Sequence, residues 1–322
     1  MDAAAFATKI RDAFQPCCLG TWPTPLEPAP ALAAATGADA LWLKREDRAG
    51  GNKVRGLEFL LAGAPPRTVF VTVGATGSTH CLATAVLARG LGHRAALAQF
   101  PQPETAASRA VAAATATSAD LVIRASAPLA LPVALLRAWW GARRLGGGSA
   151  PRWIPGGGAH PRAVLGHVLA ALELATQLDA PPRVPPPDAV VVPLGSGGTA
   201  AGIALGLAWL GWPTRVVAVR VAPRLVANRW RTLRLAGAAA VHLRRAGLEF
   251  RVPRSALRLD VVDGVGAGYG HPTPAGERAA ALAAAHGLRL DPTYGAKAFA
   301  ILPHLANGNV RRVVFWHTFA WP

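Results

Sequence analysis

The sequence predicts an α/β protein whose parallel sheets are covered on both faces by helices. Short β-branched apolar runs alternate with longer alanine-rich stretches of helical spacing. Those apolar runs are nearly continuous rather than alternating, the pattern of strands buried on both sides. Hydrophobic residues make up 52% of the 322 residues and charged residues 16%, which excludes a disordered chain and leaves room for about two domains.

The elements follow in order. Val54, Leu57, Leu60 and Leu61 recur at helical spacing directly after two glycines. Val69–Val73 reads as a strand, followed by a glycine-rich turn and a helix from about Thr79. Arg94–Gln99, Leu121–Arg124, Val190–Leu194, Val216–Val221, Leu257–Val262 and Val313–Trp316 read as further strands. Gly146–Ser149 and Gly156–Gly158 are glycine turns, and Pro181–Pro187, with five prolines, is an extended connector. No internal repeat of fixed period is present.

Charge and composition narrow the partners. The net charge is +17, yet only four residues are lysines: Lys9, Lys44, Lys53 and Lys297. The densest stretch, Arg220–Arg258, holds ten arginines against Glu249 but has few aromatic side chains and no nucleic-acid motif, so no nucleic-acid partner is expected. No apolar run reaches membrane-spanning length. The best, Ala127–Trp140, is broken by Pro128, Pro132 and Arg137. The N-terminus carries Asp2, Lys9, Arg11 and Asp12 where a signal peptide has an apolar stretch. Cys17, Cys18 and Cys81 form neither a disulfide framework nor a metal-ligand spacing, so a cytoplasmic setting and no metal are expected.

Four segments carry chemistry. In Lys44-Arg45-Glu46-Asp47 and Gly50-Gly51-Asn52-Lys53, Lys53 opens a helix, where the positive dipole end disfavours an ammonium and suits Schiff-base formation. A plain surface lysine after a turn is the competing reading. In Gly74-Ala75-Thr76-Gly77-Ser78-Thr79-His80, free backbone N–H groups at a helix start can hold a carboxylate, and Ser78 is either a reactive hydroxyl or a cap. In Pro193-Leu194-Gly195-Ser196-Gly197-Gly198-Thr199, a strand runs into a glycine loop and a small-residue helix, an arrangement that wraps phosphate. Gly195, Gly197 and Ala200 are also in register with a dinucleotide fingerprint. Arg220 stands near the position of the missing acidic residue, which keeps an NADP oxidoreductase open. The fourth segment pairs Gly268-Tyr269-Gly270 with Asp291-Pro292-Thr293-Tyr294-Gly295; it contains both tyrosines of the chain, and His317-Thr318 follows at a strand end.

Together these motifs, over roughly Thr24–Thr318, resemble the pyridoxal-phosphate enzymes that include D-cysteine desulfhydrase and aminocyclopropane carboxylate deaminase. The resemblance implies a tryptophan-synthase-β-like fold. Residues 1–60 and 161–322 would form a large cofactor-binding domain and 61–160 a smaller α/β domain, with pyridoxal 5'-phosphate in the cleft. It further implies that Lys53 carries the cofactor as a Schiff base, beside Asn52, Thr79 and Thr318. Gly195, Ser196, Gly197, Gly198 and Thr199 would hold its phosphate, and Ser78, Tyr269 and Tyr294 would face a small amino-acid substrate. The implied reaction is a lyase reaction that eliminates the β-substituent of a D-cysteine-like amino acid to give a 2-oxo acid and ammonia. Cyclopropane opening and a divergent cofactor-binding protein with little activity are the alternatives. A homodimer is expected on the same ground. The chain departs from the family pattern at Gly77 (commonly Gln), Thr79 (Asn), Gly295 (Glu or Thr, near the pyridine nitrogen) and Phe319-Ala320 (Gly-Gly).

Overall fold

The computed structural model describes residues 2–308 and 310–322. In chain order the elements are α1 (Ala3–Phe14), β1 (Leu26–Pro28), α2 (Pro30–Thr36), β2 (Ala40–Arg45), α3 (Lys53–Leu61), β3 (Val69–Ala75), α4 (Thr79–Gly90), β4 (Arg94–Phe100), α5 (Ala106–Ser118), β5 (Leu121–Arg124) and α6 (Leu131–Leu145). They continue with β6 (Arg152–Trp153), α7 (Pro161–Asp179), β7 (Ala189–Leu194), α8 (Gly198–Trp209), β8 (Arg215–Arg220), α9 (Arg229–Arg245), β9 (Leu259–Asp263), α10 (Pro274–Ala285), α11 (Gly295–Phe299), α12 (Leu302–Asn307) and β10 (Arg312–His317).

Two sheets result. One has six strands in the order β1-β2-β10-β7-β8-β9, all parallel except β1. The other has four parallel strands in the order β5-β4-β3-β6. Helices cover both faces of each, as the α/β pattern requires. The seven runs read as strands from the sequence all fall on strands. The short β1 and β6 and the charged end of β2 carry too little apolar pattern to be seen that way.

The larger core lies where α7 and α8 pack on β7, β8 and β10. Both helices are almost wholly buried, so their packing depends on small residues. A Cβ on Gly166 would stand 2.1 Å from the Arg55 carbonyl oxygen; one on Gly202 would stand 2.4 Å from the His167 Cβ, and one on Gly206 2.6 Å from the Ala171 Cβ. Glycine at these points brings α3, α7 and α8 into backbone contact.

Beneath α3 lies a buried charge cluster. Arg55 donates through Nε and Nη2 to the Glu46 carboxylate at 2.7 and 2.8 Å, and to Glu173 at 2.9 and 3.1 Å. Lys44 pairs with Glu173 and donates to the Thr24 carbonyl oxygen and Gln177 Oε1, each at 2.7 Å. The Arg55 guanidinium stacks 3.8 Å over the Trp22 ring. Two cations and two carboxylates balance, which makes their burial tolerable. The motif Lys44-Arg45-Glu46-Asp47 thus splits by side: Lys44 and Glu46 enter this cluster, while Arg45 pairs with Asp47 and Glu27.

Part of the basic stretch is also satisfied inside the fold. Arg220 and Arg224 share Asp263, and Arg229 donates to the Leu259 carbonyl oxygen. Among the described residues no helix is long and apolar enough to cross a membrane, and no group of three or more His, Cys, Asp or Glu side chains is placed to hold a metal ion.

Removing Arg55 strands two buried carboxylates. Arg55→Met is expected to cost about 3–5 kcal/mol of stability. Urea unfolding checks this, and a midpoint equal to that of the parent contradicts it.

Candidate active site

A cavity of about 350 Å³ opens between the two sheets. The ends of β3, β7 and β10, the start of α3 and the loops holding the two tyrosines all converge on it. Asn52, Lys53, Ser78, Thr79, Gly195, Ser196, Gly197, Thr199, Tyr269, Tyr294 and Thr318 line it. Gly198 does not. It borders a second, water-sized cavity of about 10 Å³ behind Lys53, together with His80, His167 and Thr199.

Lys53 is the only charged side chain among the described residues lining the larger cavity. Its Nζ donates to the Gly157 carbonyl oxygen at 3.3 Å, and no carboxylate pairs with it. Its pKa is pulled down to about 8, and the cause is burial. The helix dipole invoked from the sequence is not needed for this, because removal from water penalises the ammonium by itself. Two buried imidazoles lie behind it. His80 is driven down to about 3 by burial and by the Lys53 charge, and its Nε2 lies 2.9 Å from Thr72 Oγ1. His167 is driven well down by burial, Lys53 and Arg55. The Nδ1 atoms of both histidines are buried without a partner. Nothing in the sequence singles out His167, and His80 is visible only as a neighbour of Ser78.

The loop after β7 forms an anion cradle. Gly197 adopts φ +91°, and α8 begins with no side chain capping it. The first N–H groups of a buried helix need acceptors, and Ser196, Gly197 and Thr199 of this turn line the cavity. Asn52 Nδ2 donates to Thr199 Oγ1 at 2.7 Å, tying the turn before Lys53 to this cradle. A phosphate fits this donor set. Glycine at position 197 answers to the positive φ and to Thr232, whose Oγ1 would stand 3.0 Å from a Cβ. It is therefore not a device for ligand approach. Arg220, the residue that kept a dinucleotide reading open, donates to Asp263 and to the Ala227 carbonyl oxygen and lines no part of the cavity.

Opposite stand the hydroxyls. The phenols of Tyr269 and Tyr294 share a hydrogen bond of 2.5 Å. Burial pushes Tyr269 up to about 12 and holds Tyr294 well above the ordinary tyrosine range, with Tyr269 adding to the effect. Both phenols therefore stay protonated at neutral pH. Ser78 caps α4 by accepting from the Cys81 N–H at 3.3 Å, and it lines the cavity as well, so the cap and the reactive-hydroxyl readings are compatible.

The departures take on a spatial meaning. A Cβ at Gly77 would meet the Ser108 Cβ at 2.5 Å and Gln102 Nε2 at 2.7 Å, so a neighbouring glutamine already fills that space. A Cβ at Gly295 would meet Asp291 Oδ1 at 3.0 Å and Leu290, and Gly295 is absent from the cavity wall. Glycine there leaves room for Asp291, which accepts from the backbone N–H groups of Thr293, Tyr294 and Gly295.

A buried amine of depressed pKa beside an uncapped helix start is an arrangement that suits a phosphorylated carbonyl cofactor. The model of one family, the pyridoxal-phosphate dependent enzymes, matches residues 18–318, so the chain belongs to that family and its cofactor is pyridoxal 5'-phosphate. It is 35% identical to Nocardicin C-9' epimerase of Nocardia uniformis subsp. tsuyamanensis over 92% of this chain and 90% of that protein. The crystal structure of an ACC deaminase homologue superposes with a TM-score of 0.80 at 30% identity, covering 96% of this chain and 94% of the other. Threonine deaminase isoform 2 from Solanum lycopersicum shares the fold, with a TM-score of 0.65 at 17% identity over 99% of this chain and 90% of the other.

Two expectations follow. Gly197→Ala should lower the unfolding midpoint of the cofactor-free protein, whereas Gly195→Ala, whose Cβ would make an ordinary 3.7 Å contact with Tyr294, should not; equal effects refute the positive-φ account. The neutral amine, not the ammonium, attacks the cofactor carbonyl. With the Lys53 pKa lowered to about 8, the rate of cofactor attachment should rise with pH and level off above that value. Absorbance-monitored reconstitution tests this, and a rate still climbing in the ordinary lysine range contradicts it.

Proposed function

We propose that the protein is a lyase that eliminates the β-substituent of an amino acid, D-cysteine in the simplest case, releasing pyruvate, ammonia and sulfide. The reading rests above all on the pairing of one uncharged-capable amine, Lys53, with phenols that stay protonated across the same cavity. The 30% identity to the ACC deaminase homologue over nearly the whole chain supports it.

When bound, pyridoxal 5'-phosphate would supply the electron withdrawal that weakens the bonds at the substrate Cα. Lys53, uncharged for part of the time at neutral pH, takes the α-proton. The free N–H groups at the start of α4 hold the substrate carboxylate, with Ser78 beside it. Tyr294 donates a proton to the departing group, and Tyr269 holds that phenol in place through the shared hydrogen bond. Asn52, Thr199 and the loop Gly195–Gly198 retain the phosphate. Among the described residues no carboxylate lines the cavity. A bound cofactor would therefore find no acidic partner here, with Thr318 supplying only a neutral hydroxyl, and its weaker electron withdrawal would favour a good leaving group such as a thiol over the opening of a cyclopropane ring.

A second reading is favoured by the 35% identity to the epimerase. The same α-proton is removed and then returned to the opposite face, with Lys53 and a hydroxyl on either side. Ammonia release with pyruvate supports elimination. Exchange of the α-hydrogen with solvent deuterium without ammonia release supports epimerisation.

Borohydride reduction of the loaded protein should fix the cofactor to the Lys53 peptide; an adduct on Lys44 or Lys297 refutes the assignment. Ser78→Ala and Tyr294→Phe should each lower turnover by roughly 10²-fold while the Lys53 adduct still forms. Full activity in either variant removes that residue from the reaction.

A further inference from the structure

We infer that the leaving group is a bulky apolar thiol, so that the substrate is an S-alkyl or S-aryl cysteine rather than free cysteine. The inference rests on the elimination reading above. Besides Lys53 and the hydroxyls, the cavity is lined by Phe100, Leu131, Ala222, Pro223, Val226 and Phe319, with no charged side chain among them.

This apolar wall begins beside the proton donor. The Phe100 ring lies 6.4 Å from that of Tyr269, which holds Tyr294. A group leaving toward Tyr294 therefore emerges against hydrocarbon. Hydrogen sulfide has no apolar surface to place against this lining. An alkyl or aryl sulfide gains contact instead.

The wall continues to the opening and is supplied from both sheets. Leu131 opens α6, next to the four-stranded sheet. Pro223 and Val226 lie in the connection from β8 to α9, next to the six-stranded sheet. The neighbouring Leu129 and Leu225 are 95% and 86% exposed, and Val226 is 45% exposed. Isolated exposed leucines are ordinary. Val226, by contrast, is both on the cavity lining and half-exposed, so this lining reaches the surface.

The reaction balances without a further reagent. The Cα–H bond breaks and Lys53 takes the proton. The C–S bond breaks with its electron pair going to sulfur, Tyr294 passes a proton to the sulfur as it departs, and the proton held on Lys53 restores Tyr294, so both side chains end as they began. Water then releases the remaining three-carbon unit as pyruvate and ammonium. One substrate and one water give one thiol, one pyruvate and one ammonium.

The test uses the loaded enzyme with D-cysteine and S-benzyl-D-cysteine, following pyruvate and ammonia. The S-benzyl compound is expected to show a higher kcat/KM by roughly tenfold or more, mainly through KM. Val226→Asp, at a half-exposed position that tolerates a charge, is expected to narrow that ratio. Equal or faster turnover of D-cysteine, or an unchanged ratio in Val226→Asp, overturns the inference and leaves the elimination intact. Absence of pyruvate from both compounds, with the cofactor trapped on Lys53, overturns the elimination reading and the inference with it.

Discussion

Lys44, Glu46, Arg55 and Glu173 are closed off from water almost completely, and α3 can be seated on them in only one way. Residues two apart on a helix point about 200° from each other. When Arg55 is pinned down into the cluster, Lys53 must face the opposite side, which is the cavity. Glu58, three residues past Arg55, repeats the anchoring by accepting from the Leu19 and Gly20 N–H groups and from Trp22 Nε1. The cluster also ties β2, which carries Lys44, to α7, which carries Glu173. A misplacement of the reactive amine would therefore have to break paired buried charges, and that costs several kcal/mol. Arg55 and Lys44, which do not line the cavity, thus set the aim of Lys53, which does.

The second constraint is steric. α8 brings its uncapped end to the cavity because Gly202 and Gly206 let it lie directly on α7, while Gly166 lets α7 lie on α3. The three helices form one stack, so the distance between Lys53 and the phosphate cradle is set by backbone contacts rather than by adaptable side chains. The Asn52–Thr199 hydrogen bond then joins the two ends directly. C-terminal to the stack, the Thr318 carbonyl oxygen accepts from the Asn52 N–H at 3.1 Å, which adds the end of β10 to the same frame.

Much of this was legible in the sequence, and what was not has physical reasons. Long apolar strands such as β3, β7 and β8 announce themselves, because burial on both faces demands continuous hydrophobicity. β2 ends in Lys44 and Arg45, and the burial of Lys44 depends on Glu173 and Gln177 far away in the chain, so the end of the strand carries no apolar pattern. Lys53, the glycine loop and the tyrosines belong to short contiguous motifs and were visible. His167 was not: a lone histidine on a helix carries no sign that it will face a lysine from another helix. Gly77 and Gly295 were visible as departures, but their meaning was not. A sequence does not say which way a missing Cβ would have pointed, and at both positions it points into neighbouring protein rather than into the cavity.

The charge distribution explains why cofactor binding can outlast changes in the substrate site. Despite the net charge of +17, Lys53 is the only charged side chain among the described residues on the cavity wall, and the buried His80 and His167 near it stay neutral. A phosphate in the cradle would be met mainly by backbone N–H groups at a helix end, equivalent to roughly half a positive charge, together with hydroxyls. Backbone donors survive side-chain substitution as long as the loop keeps its conformation, and that conformation depends on Gly197 and on the α7–α8 packing. The apolar lining near Val226 is under no such constraint, because it contributes to the cavity by its side chains, and drift there would change what fits beside the cofactor rather than the cradle. The arginines outside the cleft act on anionic ligands only at a distance, over a range that salt shortens to about 8–10 Å.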